Sequence, residues 1–175
     1  MVLLATIMVP SQVTLIPTYI LFKYLGWLNS FYPLVVPWFL GGGAFNVFLL
    51  RQFYMTLPLE LDDAGRIDGC STFRIYTSIV LPQSRPAIGV IAILGFLAHW
   101  NDFFNPLMYL NSTSKFTLAL GLHLFRESTT TGVATYVPWN RLMAASVMAS
   151  LPCIVLYFTA QRYFIQGIVF TGLKG

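Results

Sequence analysis

Residues 142–161 read Leu-Met-Ala-Ala-Ser-Val-Met-Ala-Ser-Leu-Pro-Cys-Ile-Val-Leu-Tyr-Phe-Thr-Ala-Gln. The run carries no charge and no alternation of polar and apolar residues. A bilayer core of ~30 Å is crossed by roughly 20 helical residues, so this run predicts a membrane-spanning helix. Residues 1–22 and 24–50 also lack charge, and residues 86–110 hold only Asp102. Four spans are predicted, over about 2–22, 32–52, 86–109 and 142–163, in an all-α polytopic transmembrane bundle. The missing strand alternation argues against a β-barrel. Pro10, Pro17, Pro37, Pro106 and Pro152 fall inside these spans, where packed neighbours can satisfy the backbone groups they free. Gly41, Gly42 and Gly43 let another helix approach the second span closely.

Composition points the same way. Of 175 residues, 57% are hydrophobic and 9% charged, whereas a soluble domain carries about 25% charged residues. Too little polar surface is available for a soluble enzyme, a nucleic-acid binder or a disordered tail. The net charge of +4 comes from basic residues scattered singly, with no run that would bind nucleic acid. Cys70 and Cys153 form no CxxC pair and are expected to be free thiols. His99 and His123 stand alone, without metal-ligand spacing, and read as packing residues. The glycine triplet is followed by no Gly-Lys-Ser or Gly-Lys-Thr, so no phosphate loop is present. Nothing resembles a nucleophilic triad or a paired-carboxylate pocket. The expectation is therefore a non-enzymatic membrane protein with no catalytic residue, no metal and no cofactor.

The most informative stretch lies between the second and third runs. It holds Pro58, Glu60, Asp62, Asp63, Arg66, Asp68 and Gly69, then Ser71 to Pro82. Pro58 suits a first helical turn, and early acidic residues suit the positive end of the helix dipole. Asp62 and Arg66 are four apart and can pair. Gly69 suits the left-handed position that ends a helix, and Ser71 can cap the next one. On that second helix Phe73, Tyr76 and Val80 are expected on one face, with Leu81-Pro82 as its end. Placing 53–85 and the C-terminus in the cytoplasm puts Arg51, Arg66, Arg74, Arg85, Arg162 and Lys174 inside. Lys23, Lys115, Arg126 and Arg141 are left outside. This bias follows the positive-inside rule and leaves 111–140 outward.

The loop resembles the EAA motif of binding-protein-dependent ABC importer permeases: EAA, three residues, Gly, nine residues, Ile, one residue, Leu-Pro. Here Asp63-Ala64-Gly65, Gly69, Ile79 and Leu81-Pro82 stand at those spacings. Asp63 replaces Glu with the charge kept, and Gly65 replaces Ala at about 1 kcal/mol of helix propensity. Leu15-Ile16-Pro17-Thr18-Tyr19, Phe48-Leu49-Leu50-Arg51-Gln52-Phe53, Trp100-Asn101-Asp102-Phe103 and Gln161-Arg162-Tyr163-Phe164 also resemble carbohydrate permeases of the maltose-transporter type. Such subunits usually have about six spans, and the residues matched correspond to the last four. The resemblance implies one permease domain over 1–175, lacking its N-terminal spans, in the cytoplasmic membrane. Met1 shows no targeting signal and is either a true start or the start of a fragment.

The resemblance also implies roles. The segment with Glu60, Asp62, Asp63, Ala64, Gly65, Arg66, Asp68 and Gly69, followed by Ile79, Leu81 and Pro82, would couple the subunit to a cytoplasmic ATPase. A second permease subunit, an extracytoplasmic solute-binding protein and membrane lipid would be the other partners. The alternatives are a stand-alone secondary transporter or channel, or an inactive truncated permease. Asp102 is the one charge placed well inside a predicted span, ~24 Å along it from Pro86 at 1.5 Å per residue. Intramembrane acids are candidates for function, so Asn101, Asp102 and Asn105 are candidate pathway residues. An interfacial position, or a local helix break before Pro106, explains Asp102 equally well.

Overall fold

The computed structural model describes residues 2–41, 43–130 and 139–169. Among the sequence features above, Gly42, Lys174 and part of the 111–140 stretch lie outside the described residues. Those described form helices and short connections, with no strand among them. The helices are α1 (Val2–Met8), α2 (Ser11–Tyr24), α3 (Tyr32–Gly41), α4 (Ala44–Tyr54) and α5 (Glu60–Ile67). They are followed by α6 (Thr72–Gln83), α7 (Arg85–Trp100), α8 (Phe104–Tyr109), α9 (Leu118–Thr130) and α10 (Trp139–Val169).

Among the described residues two stretches are long and apolar enough to cross a membrane, Tyr32–Tyr54, which takes in α3 and α4, and Trp139–Gln161, within α10. They match the second and fourth predicted spans. The other two runs are interrupted. Run 2–22 divides between α1 and α2 at Val9-Pro10, because Pro10 has no N–H to continue α1 and starts the next helix as its cap. Run 86–109 divides at Asn101–Phe103. At its other end, α7 meets α6 at a bend of 67°. Pro86 leaves a carbonyl of α6 without its N–H donor. Ser84 lies at the bend, fully buried, with its Oγ donating to Val80 O at 2.7 Å. Taken together, α6 and α7 are also long and apolar enough to form one broken span or a re-entrant loop.

α7 packs against α10 and α4, α1 against α4, α9 against α10, and α8 against α3. Trp100 Nε1 donates to Ala149 O at 3.0 Å, tying α7 to α10. His99 meets Trp38 edge-on at 4.4 Å, and the His123 ring lies 4.2 Å from that of Phe103; His123 does not stand alone, since its Nε2 is also 3.9 Å from Glu127 Oε1. Cys70 and Cys153 are free thiols. Large side chains such as Ile16, Phe39, Leu40, Met148 and Phe158 are exposed. That surface suits lipid and neighbouring helices rather than water.

Candidate functional site

The acidic segment folds as a short helix locked at its C-terminal end. In α5, Glu60, Asp62 and Asp63 occupy the first turn and Arg66 the last. Asp62 Oδ2 lies 3.4 Å from Arg66 Nη2 on a largely exposed face. Such pairs add about 0.2–0.5 kcal/mol. The helix ends in two nested bonds: Gly69 N–H donates to Arg66 O at 3.0 Å, and Cys70 N–H to Gly65 O at 2.9 Å. Together with Gly69 at φ +76° they make a Schellman closure, which satisfies carbonyls otherwise left unpaired. Ser71 Oγ then accepts from Arg74 N–H at 3.4 Å and starts α6. The turn chemistry at Gly69 and Ser71 is as the sequence predicts.

The two faces of α5 differ. Leu61 is half-buried and Gly65 buried, against α6. Glu60, Asp63, Ala64 and Ile67, at helical spacing on another face, are all exposed, Ile67 to 86%. Gly65 is small for a reason absent from the motif itself. A Cβ there would stand 2.9 Å from Ile75 Cγ1 and 3.2 Å from Ile79 Cδ1. Ile75, only 2% exposed, and Ile79 therefore form the seat of α5. The buried side of the second helix is therefore that of Ile75, apart from the face expected to hold Phe73, Tyr76 and Val80. Phe73 is 76% exposed and Tyr76 is exposed too, while Ile75 is inside. Leu81 and Pro82 belong to the last turn of α6, and the chain leaves that helix at Ser84. A π turn over Tyr76–Val80 carries Ile79. Such turns re-aim side chains and recur at functional sites.

The other candidates divide. Asp102 lies at a helix break: Oδ1 accepts from Asn105 N–H at 3.2 Å and Oδ2 from Asn105 Nδ2 at 2.9 Å. From the position before the cap residue Phe103, the carboxylate thereby takes one otherwise unpaired N–H of the first turn of α8. Asp102 and Asn105 share an open cleft of about 300 Å³ with Thr18, Phe22, Trp38 and Tyr109. A neighbouring cleft of about 400 Å³ includes Thr14, Thr18, Asn105 and Tyr109. Asn101 is not brought to them. It donates to Leu97 O at 2.8 Å and lines a separate cleft with Trp100, Ser146 and Cys153.

Sequence reasoning missed Asn29. It is the only non-glycine at positive φ, +56°, among the described residues. Its N–H donates to Tyr109 O at 2.7 Å and its Nδ2 to Ser112 Oγ at 2.8 Å. Its Oδ1 accepts from Asn111 N–H at 3.2 Å and Ser112 N–H at 3.0 Å, and its carbonyl accepts from Lys115 Nζ. The available signal was modest: an Asn in a Gly-Trp-Leu-Asn-Ser turn, where Asn tolerates the left-handed region.

The described residues thus form an all-α architecture with apolar, membrane-length stretches and a capped acidic helix on a bent connector. The chain belongs to the family of binding-protein-dependent transport system inner membrane components, whose model matches residues 1–169. It is 36% identical to an arabinooligosaccharides transport system permease protein, AraQ, of Halalkalibacterium halodurans, over 100% of this chain and 60% of the relative. It is 36% identical to the sn-glycerol-3-phosphate transport system permease protein UgpE of Salmonella typhi, over 94% of this chain and 56% of the relative. The trehalose/maltose transport system permease protein MalG of Thermococcus litoralis is 34% identical, over 89% and 55%. This chain thus spans between 55% and 60% of the length of these relatives. In fold it is similar to a bacterial ABC transporter involved in the import of the acidic polysaccharide alginate. The TM-score is 0.70 at 24% identity, over 85% of this chain and 55% of that one.

Proposed function

We propose that this chain is the C-terminal part of a permease subunit of an ATP-driven importer, carrying a sugar or related solute across the cytoplasmic membrane. The observation that carries the reading is the free face of α5. Glu60, Asp63, Ala64 and Ile67 present two carboxylates beside an apolar knob. The Gly69 closure and the Gly65–Ile75 seat hold that face on α6. Such a face suits a basic cleft on a cytoplasmic ATPase: the charges orient it, and Ile67 packs. A push on α5 then reaches the membrane part through α6 and the bend at Ser84. Asp102 and Asn105 are the pathway residues of this reading, on the cleft beside Thr18 and Tyr109, with Asn101 on a separate one. The further partners are a second permease subunit, a solute-binding protein outside and lipid around the exposed apolar faces.

The test is reconstitution. The full-length subunit, with its ATPase, second permease and binding protein in vesicles, is expected to take up solute when ATP is supplied on the cytoplasmic side. Residues 1–175 alone are expected to take up none, since they contain no nucleotide site. ATP-driven uptake by this chain alone, or none by the complete assembly across a panel of sugars and polyols, would refute the reading.

Orientation is a separate expectation. With Cys70 and Cys153 replaced by serine, an impermeant thiol reagent added outside cells should label Ser114→Cys and leave Ser71→Cys unlabelled. Both positions are exposed. The reverse pattern would place α5 outside and remove its proposed partner.

A further inference from the structure

We propose that Asn29 is a positioning residue for the cleft wall formed by Asp102, Asn105 and Tyr109. This rests on the reading of that cleft as part of the pathway. Asn105 and Tyr109 stand on α8, a helix of 6 residues, and Asp102 just before it. A helix that short has no stability of its own, because nucleation is unfavourable and few bonds follow it. Its direction is therefore set by its packing against α3 and α9 and by what holds its two ends.

The N-terminal end is held by the Asp102 carboxylate, through both bonds to Asn105. The C-terminal end is held by Asn29. The Asn29 N–H takes the Tyr109 carbonyl at 2.7 Å, and its side chain engages the next turn at Asn111 and Ser112. Lys115 closes the same knot from beyond by donating to the Asn29 carbonyl. Tyr109 is buried, with its ring edge-on to Phe22 at 5.2 Å and stacked near Tyr19 at 6.3 Å. A shift of the Tyr109 backbone thus moves a ring that lines the cleft. Asn105 lies one turn before Tyr109 and moves with it.

The side chain fits this task for three reasons. It offers an acceptor and a donor on one planar group, and both are used. It tolerates φ +56°, which the turn requires. Its partners lie more than eighty residues away, so the knot joins the α2–α3 turn to the segment after α8. Through it α2, which carries Thr18 and Phe22, and α8, which carries Asn105 and Tyr109, are held as one wall.

The test reads geometry directly and does not depend on transport. Thr18→Cys and Phe104→Cys, two positions on the same cleft, are introduced in the full-length subunit, with Cys70→Ser and Cys153→Ser, and cross-linked in membranes with thiol reagents of graded length. With Asn29 present, one reagent length is expected to dominate. With Asn29→Gly, which keeps the turn conformation and removes the side chain, the yield at that length should fall threefold or more and spread to other lengths. Ser112→Ala, which removes only the Nδ2 acceptor, should give a smaller spread in the same direction. The same length profile in all three proteins would overturn the proposal. If Asn29→Gly does not accumulate in the membrane, Ser112→Ala and Asn29→Asp decide it alone, and an unchanged profile in both has the same force. Uptake by the parent assembly is scored separately, so loss of the transport reading and loss of the Asn29 role are distinguishable.

Discussion

Gly65→Val in the full-length subunit is expected, on the proposed docking of α5, to release the ATPase and stop uptake while leaving the amount of subunit in the membrane unchanged. The Cβ alone would stand 2.9 Å from Ile75 Cγ1, and Ile75 is a buried, β-branched side chain with restricted rotamers. Val adds two more carbons to that gap. Overpacking of this kind costs about 1–3 kcal/mol. If the strain is relieved by lifting α5 off α6, the docking face loses its fixed orientation, and ATPase affinity falls roughly 5- to 150-fold by the same energy. Gly65→Ala is the graded case. Its Cβ meets the same atom, but about 1 kcal/mol of helix propensity is gained, so a much smaller loss is expected. Co-purification of the ATPase with each variant is the measurement. Full retention with Gly65→Val would show that α5 does not need its seat.

Asp63→Lys attacks the other side of the same helix. Asp63 is exposed, so the change leaves the packing of α5 alone and reverses the charge offered to the partner. Like charges brought together at an interface cost several kcal/mol. ATPase binding should drop by at least a hundredfold and uptake should vanish, with normal membrane insertion. Gly69→Val is its conformational companion. Nothing lies within 4 Å of a Cβ at Gly69, yet φ is +76°. The penalty is therefore purely in the backbone, roughly 1–2 kcal/mol, and it falls on the Schellman closure. Gly69→Asn should keep most of the activity, because Asn tolerates that region. Full ATPase binding and full uptake in both Asp63→Lys and Gly69→Val would reduce the segment to a solvated connector.

Local chemistry was legible in the sequence and distant contacts were not. Gly69 and Ser71 declare themselves because a left-handed closure and an N-terminal cap depend on neighbours within five residues. The break at Asp102 was foreseeable for the same reason, with Asn105 and Pro106 close by. Gly65 misled: a helix-propensity argument sees only a lost methyl, while its seat is built by Ile75 and Ile79 on another helix. Which face of α6 is buried was not legible, because apolar residues surround that helix. Periodicity cannot choose between Phe73-Tyr76-Val80 and Ile75-Ile79 when both are apolar, and the π turn shifts the register. Asn29 offered only a modest turn signal, because its partners lie eighty or more positions away. The division of the apolar runs 2–22 and 86–109 into shorter helices turns on Pro10 and on the Asp102 carboxylate, which hydropathy alone does not weigh.

The bend at Ser84 makes α6 and α7 a crank. At 1.5 Å per residue the two arms are ~18 Å and ~24 Å long, set at 67° to each other. If they turn as one piece about the buried Ser84, a displacement at the α5 end appears at the Trp100 end enlarged only by the ratio of the arms, about 1.3. Such an elbow hardly magnifies a movement. What it changes is direction, so that a sideways tug on α5 arrives among α4 and α10 as a swing of the far arm.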